Sequence, residues 1–288
     1  MSPPEPLTLS NRYRCFDGWQ NFYRHPARTT DCEMRFGLYL PPQAEHEQVP
    51  LLIYLAGLTC TEETFPMKAG AQRMAAELGL ALLSPDTSPR GVRIPGDDDS
   101  FDFGLSAGFY LDATEAPWSA HYRMYSYVAR ELPDLVTSLF PVDGGRIGLL
   151  GHSMGGHGAL TIGLKHPERF RSLSALAPIA APTQCPWGQK ALPRYLGPDP
   201  DSWRPYDATE LMRDLVSAAG RPPLLIDQGL DDEFLVRQLK PDLFEAAARG
   251  AGYPLTLRRH AGYGHGYYFV STVIEDHLRH HAACLEKL

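Results

Sequence analysis

Apolar residues along this chain fall into two alternating kinds of run. Pro50–Leu55, Leu80–Ser84, Arg146–Leu150, Leu173–Ala177, Pro223–Asp227 and Leu255–Arg259 are short and bounded by turn residues, as strands buried in a sheet are. Between them lie segments with helical spacing: Pro66–Leu78 closed by Gly79, Tyr122–Phe140, Met154–His166, Asp207–Ala219, Leu235–Arg249 and Tyr268–Leu285. Upstream, Arg12–His25 and Thr30–Leu40 read as two strands around a turn at His25-Pro26-Ala27-Arg28. Strands alternating with helices predict an α/β fold, a mostly parallel central sheet with helices on both faces and an antiparallel N-terminal edge. Residues 1–288 are expected to form a single domain. The long Gly-, Pro- and Asp-rich stretch Pro85–His121 reads as loops, and loops of that length in compact domains usually carry function.

Composition narrows the field by exclusion. Of the 288 residues 43% are apolar and 21% charged, the net charge is −7, and no cluster of lysine and arginine stands out. That balance argues against nucleic acid or an anionic membrane as a partner. No apolar run approaches the roughly 18 residues of a membrane span, and Met1-Ser-Pro-Pro-Glu-Pro6 has neither the basic nor the apolar region of a signal peptide. Five scattered cysteines, Cys15, Cys32, Cys60, Cys185 and Cys284, suggest no disulfide framework and no paired metal ligands, so a reducing, cytoplasmic compartment is expected.

The chemistry concentrates at Gly151-His152-Ser153-Met154-Gly155, a G-x-S-x-G placed directly after a predicted strand and directly before a predicted helix. In that context the serine sits on a sharp turn that lifts it out of the sheet, and the N–H of Met154 points toward whatever Ser153 attacks. A serine hydroxyl needs a base, and the base an orienting acid; on this kind of elbow they follow in the order serine, acid, histidine. Two loops after later strands fit. Gln228-Gly-Leu-Asp231-Asp232-Glu233 supplies carboxylates and His260-Ala-Gly-Tyr-Gly-His265-Gly supplies histidine. Glycines around His265 leave room for a moving side chain and favour it as the base over His260, which abuts the strand end beside Arg258-Arg259 and is expected to face solvent. Spacing from Gly229 favours Asp232 as the acid, with Asp231 kept as the alternative; Asp227, inside a strand, reads as structural. A second oxyanion donor is expected in the loop Ala56–Cys60, at the Leu58 N–H.

Other patterns carry less. Asp102-Phe-Gly104 mimics a kinase tripeptide without the accompanying motifs, Asp97-Asp98-Asp99 lacks the spacing of a calcium loop, and His277, His280 and His281 read as surface histidines. His152 and His157 are expected to pack or hydrogen-bond around the elbow. No metal and no organic cofactor is expected.

Taken in order, GLTCTEETF (Gly57–Phe65), KAGAQRMA (Lys68–Ala75), SPDTSPRG (Ser84–Gly91), AGFYLDATEAPW (Ala107–Trp118), YRMYSYV (Tyr122–Val128), GHSMGGHGAL (Gly151–Leu160), CPWGQKA (Cys185–Ala191), IDQGLDDEFL (Ile226–Leu235) and GYGHGYYF (Gly262–Phe269) make the chain resemble the S-formylglutathione hydrolases, the esterase D-like branch of the α/β-hydrolases. The resemblance spans nearly the whole chain. It implies an α/β-hydrolase fold, a triad of Ser153, Asp232 and His265, and oxyanion donors at the Leu58 and Met154 amides. The implied reaction is hydrolysis of S-formylglutathione to glutathione and formate, with short acyl esters as further substrates, in a homodimer. It also implies a redox-sensitive thiol at Cys60, whose other reading is a small packing residue. Three positions depart from the family pattern: Gly264 and Gly266 stand where Asp and Ser are usual, and Phe101 where Trp is usual.

Overall fold

The structure, a computed structural model, describes residues 7–286. The chain opens with an antiparallel meander, β1 (Thr8–Cys15), β2 (Gly18–Ala27) and β3 (Cys32–Leu40). Then come β4 (Val49–Leu55), two short helices α1 (Thr64–Lys68) and α2 (Gln72–Leu78), and β5 (Ala81–Pro85). After the long loop, α3 (Met124–Ser126) runs through a π turn into α4 (Leu132–Leu139). Next are β6 (Val142–His152), α5 (Met154–Lys165), β7 (Phe170–Leu176), α6 (Pro186–Leu196) and α7 (Ala208–Arg213). The chain ends with β8 (Leu224–Gly229), α8 (Pro241–Gly250), β9 (Leu255–His260) and α9 (Tyr267–Leu285). Among the described residues no helix is long and apolar enough to cross a membrane.

The strands form one sheet in the order β1-β2-β3-β5-β4-β6-β7-β8-β9, antiparallel from β1 to β5 and parallel from β5 to β9. The α/β architecture with an antiparallel N-terminal edge is therefore as the sequence predicts. The connection leaving β4 runs to β5 on one side, and the connection leaving β6 runs to β7 on the other. The loops after β4 and β6 thus diverge and open a crevice at the carboxyl ends of the strands, the place where open α/β sheets bind ligands.

Several predicted boundaries change, each for a local reason. Arg12–His25 is a hairpin rather than one strand, because Phe16 and Asp17 both take positive φ and close a two-residue turn between Cys15 and Gly18. The next turn lies at Arg28–Asp31 instead of around Pro26, since Pro26 pairs with Glu33 beyond the last β1 partner, Arg24. Gly70, at φ 69°, splits the predicted helix over 66–78 in two. Within 122–140, Pro133 removes the N–H that would bond back to residue 129, and the widened π turn Tyr127–Glu131 precedes it. Pro241 restarts the helix predicted over 235–249, after Lys240 turns left-handed at φ 51°. The segment predicted over 207–219 stays helical only to Arg213, and α6 was not predicted at all.

β7 shows how the sheet is covered. Leu173 points at Gly163 of α5, so closely that a Cβ on that glycine would come within 2.1 Å of it. Ser172 and Ser174, one residue to either side, point the other way and bond His281 of α9. Side chains alternate between faces along a strand, so α5 and α9 lie on opposite faces. The α9 side carries a buried polar chain. His281 contacts the Ser172 hydroxyl through Nδ1 at 2.6 Å and the Ser174 hydroxyl through Nε2 at 2.8 Å. Ser174 also meets His277 Nδ1 at 2.8 Å, and His277 Nε2 lies 3.3 Å from Asp227 on β8. Burial would raise the Asp227 carboxyl, but the adjacent His277 and Arg258 hold it below the usual carboxylate range. His277 and His281 are fully buried, contrary to their expected place at the surface, and burial pushes both below the ordinary histidine range.

A second buried polar group sits under the loop after β4. Glu62 is pushed up to about 7 by burial and by the charge of Asp86, which Arg90 grips at 2.5 and 2.8 Å. Ser84 Oγ donates to the Glu62 carbonyl at 2.8 Å, and Thr87 Oγ1 donates to that of Cys60 at 2.5 Å.

Two outcomes follow from these groups. His281→Leu strands the Ser172 hydroxyl and lowers the unfolding free energy by about 3 kcal/mol in urea titrations. Adding Ser172→Ala recovers about 1 kcal/mol of it, because both partners are then gone; a double variant weaker than the single one contradicts this account. For Glu62, the folded state keeps its proton to about pH 7 while an unfolded glutamate releases it near its ordinary value of 4.5. The folded chain therefore binds more protons across that window, and this group makes stability fall as pH rises through it. Glu62→Gln, neutral throughout, gains in Tm over the parent progressively from about pH 5 to about pH 8; a constant difference rules the account out.

Candidate active site

Ser153 takes φ 58° and ψ −119°, between the end of β6 and the start of α5. A non-glycine residue there costs about 1–3 kcal/mol, so the surroundings must hold it. They do so with backbone bonds: the Ser153 N–H donates to Leu176 C=O at 2.9 Å, and its own C=O accepts from His157 at 3.0 Å and Ile179 at 3.2 Å. The flanking glycines are steric necessities. A Cβ at Gly151 would fall 2.0 Å from the Gly155 carbonyl oxygen, and one at Gly155 would fall 1.9 Å from that of Leu55.

Three loops meet at this serine. His265, on the loop between β9 and α9, places Nε2 2.9 Å from Ser153 Oγ and Nδ1 2.6 Å from Asp232 Oδ2. A carboxylate only accepts, so Nδ1 carries the proton and Nε2 is free to accept from the serine hydroxyl. The Asp232 side chain is fully buried and further held by the Phe234 N–H at 2.8 Å and Gln228 Nε2 at 3.2 Å. Asp231 and Glu233 are exposed, so of the carboxylates in this loop the geometry brings Asp232 to the histidine. His260 does not face solvent as expected: it turns inward, with Nε2 3.4 Å from Asp227.

His152 holds His265 from behind. Its Nε2–H donates to the His265 carbonyl at 2.9 Å, and the two rings lie 4.6 Å apart. Burial, reinforced by the neighbouring His265, holds His152 well below the ordinary histidine range, so it stays neutral. His157 bonds the Phe109 carbonyl at 2.9 Å. Both thus bond around the elbow, as the sequence suggests. The altered glycines beside the base are not demanded by space: a Cβ meets nothing within 4 Å at Gly266 and only the Asp231 carbonyl oxygen, at 3.8 Å, at Gly264. Gly266 occupies the N-cap of α9, which has no side-chain cap there.

The amides predicted as oxyanion donors have no protein acceptor among the described residues. Met154 is the first residue of α5, so its N–H has no intrahelical acceptor. In the loop after β4, Thr59 N–H donates to Ser106 C=O and Cys60 N–H to Gly57 C=O, whereas Leu58 N–H donates to no protein acceptor among the described residues. Gly57 lets this loop lie against the elbow, where a Cβ would meet Ser153 Cβ at 3.0 Å.

The relay opens into a slot of about 190 Å³, walled by Leu58, Cys60, Phe101, Trp187 and Phe234. Phe234 stands edge-on to His265 at 5.0 Å and packs on Trp187 at 4.8 Å; Phe101 is 60% exposed at the mouth. Burial pushes the Cys60 thiol up, with Thr64, Tyr267 and Lys68 opposing. A larger groove of about 790 Å³, bounded by His25, Arg28, Arg123 and Arg130, contains none of the relay residues. Asp102 of the kinase-like tripeptide pairs with Lys190. Among the described residues no group of three or more His, Cys, Asp or Glu side chains could hold a metal ion. The sequence reading missed Gln228 and Phe234 as supports of Asp232 and of the base; both lie within four residues of that carboxylate, and only the fold reveals which way they point.

Residues 27–280 match the family model described as a putative esterase. The chain is 54% identical over 273 residues to an S-formylglutathione hydrolase of Mus musculus, covering 94% of this chain and 96% of that one. Its structure superposes with a TM-score of 0.93 on an S-formylglutathione hydrolase from Agrobacterium tumefaciens, at 50% identity over 96% of this chain and 99% of that one. A fluorophosphonate-binding serine hydrolase of Staphylococcus aureus, at 20% identity and TM-score 0.72 over 92% of this chain and 98% of that one, shares the fold. The chain belongs to the S-formylglutathione hydrolase family of esterases.

Proposed function

We propose that this protein hydrolyses S-formylglutathione to glutathione and formate, with Ser153 as nucleophile, His265 as general base and Asp232 as the acid that orients it. The observation that carries this reading is the continuous relay from Asp232 Oδ2 through His265 to Ser153 Oγ, at 2.6 and 2.9 Å, in a chain of this family. Ser153 Oγ attacks the formyl carbon as its proton passes to His265 Nε2. Asp232 stabilises the imidazolium, and the Leu58 and Met154 amides receive the oxyanion.

Collapse of the tetrahedral intermediate expels a thiolate. A thiol pKa of about 8.5 makes that departure easy, so the base matters most when it activates water against the formyl-serine. The small slot beside Ser153 suits formyl and other short acyl groups and supports activity on short acyl esters as well. No step calls for a metal or an organic cofactor. We further propose a single domain working as a cytoplasmic homodimer. Cys60, walling the slot, is the candidate redox-sensitive thiol; because burial raises it, its reaction with disulfides belongs to alkaline conditions.

Ser153→Ala lowers kcat for S-formylglutathione by at least about 10⁴-fold. Asp232→Asn costs about 10³- to 10⁴-fold by leaving His265 in the wrong tautomer, whereas Asp231→Asn stays within about twofold. Steady-state kinetics on the three variants decides, and equal losses at the two aspartates would refute the assignment.

A further inference from the structure

Lys68 closes α1 with its ammonium 5.9 Å from the centre of the Tyr267 ring. Tyr267 lies edge-on to His152 at 5.7 Å, and its hydroxyl meets that of Tyr54 at 3.2 Å. The ammonium therefore stands on the side of the slot that Cys60 and His152 wall, near enough to Cys60 for its charge to act on that thiol. Two other cations near the slot are already engaged: Arg90 holds Asp86, and Lys190 holds Asp102. Lys68 is exposed and, among the described residues, has no carboxylate oxygen within 4.0 Å. Its charge reaches into the wall, where it opposes the upward push of burial on the Cys60 thiol. A cation placed over an aromatic face and lacking a counter-ion keeps its attraction for an anion that docks beside it.

This bears on how one leaving group is told from another, and it rests on the function proposed above. The acyl slot cannot supply the discrimination, because formyl offers almost nothing to grip. Glutathione offers two carboxylates and one ammonium on peptide arms that must lie outside the slot while its sulfur faces Ser153. We propose that Lys68 is a specificity residue for the thioester, its ammonium pairing with a carboxylate of the glutathionyl group. The lysine touches neither the relay nor the oxyanion donors, so its contribution is to substrate capture and orientation, not to the bond-breaking step.

The experiment compares wild type with K68M, K68E and K68R on S-formylglutathione and on p-nitrophenyl acetate, which carries no charge. K68M lowers kcat/KM for the thioester by about three- to tenfold, chiefly through KM, as expected of an ion pair at a wet rim. K68E loses more, and K68R retains most of the activity. All three stay within about twofold of wild type on the neutral ester. In wild type, kcat/KM for the thioester falls with added salt, and K68M flattens that dependence. Parallel losses on both substrates, or a thioester activity indifferent to K68M and K68E, overturn the proposal. Failure of the wild type itself to hydrolyse S-formylglutathione, while still hydrolysing the acetate, overturns the functional reading and this inference with it.

Discussion

Everything at this site depends on one strained residue. Ser153 sits where an L-amino acid does not rest willingly, and strain of that kind survives only when the surroundings leave no lower alternative. Here they leave none. Its N–H is anchored to β7 through Leu176, its carbonyl is held by His157 and Ile179, and the elbow is wedged against β4 so closely that Gly155 has no room for a methyl group. The reward of the strain is geometric. A turn this sharp sets the serine directly before the first turn of α5, and the loop after β4 comes so close that a Cβ at Gly57 would meet Ser153 Cβ at 3.0 Å. Relaxing the backbone at Ser153 would undo the arrangement on which the proposed roles of its hydroxyl and of the Leu58 and Met154 amides rest.

His265 reaches Ser153 from the far end of the chain, so its loop must be tied down independently. One tie is His152, the residue before the nucleophile, which donates to the His265 carbonyl. Because burial keeps it neutral, it does not compete for the proton that His265 takes up in the role we propose. The other tie is α9, which begins directly after the base and is bolted to the sheet by His277 and His281 through Ser174, Ser172 and Asp227. Buried histidines are costly unless their ring nitrogens are engaged. Engaged as they are, they set the position of α9 along the strands more narrowly than apolar packing alone would. Gly266, with no side chain to cap the helix, places still more of that burden on the buried chain.

How far the sequence could be read follows from what each feature depends on. The strand–serine–helix elbow was legible because its steric demands are local and leave glycines at fixed positions. The order of elements and the parallel sheet were legible because burial on both faces writes short apolar runs. Asp232 could be preferred to Asp231 only weakly, since adjacent residues on a loop differ in direction rather than in chemistry; the fold decides by burying one and exposing the other. The histidines of α9 were misread for a related reason. Their partners, Ser172, Ser174 and Asp227, stand on strands about fifty to a hundred residues away, and nothing near them in the chain announces a buried polar network. The hairpin at Phe16-Asp17 was missed although Asp17-Gly18 is a turn signal, because the strand periodicity on either side of it was read as continuous.

The division of labour at the site then follows from the chemistry of the substrate we propose. A formyl group is too small to be selected by contact area, and thiolate departure needs little help, so neither the slot nor the leaving step can distinguish glutathione from another thiol. Discrimination has to come from charge outside the slot. There the chain places two engaged cations, each neutralised by its own carboxylate, and Lys68, which among the described residues has none. An engaged pair is already satisfied and has little to offer an incoming anion, whereas an unengaged ammonium at the rim pays only its own loss of freedom. Strain and burial thus set the geometry around Ser153, and in the proposal made above the unbalanced charge of Lys68 selects the thioester that reaches it.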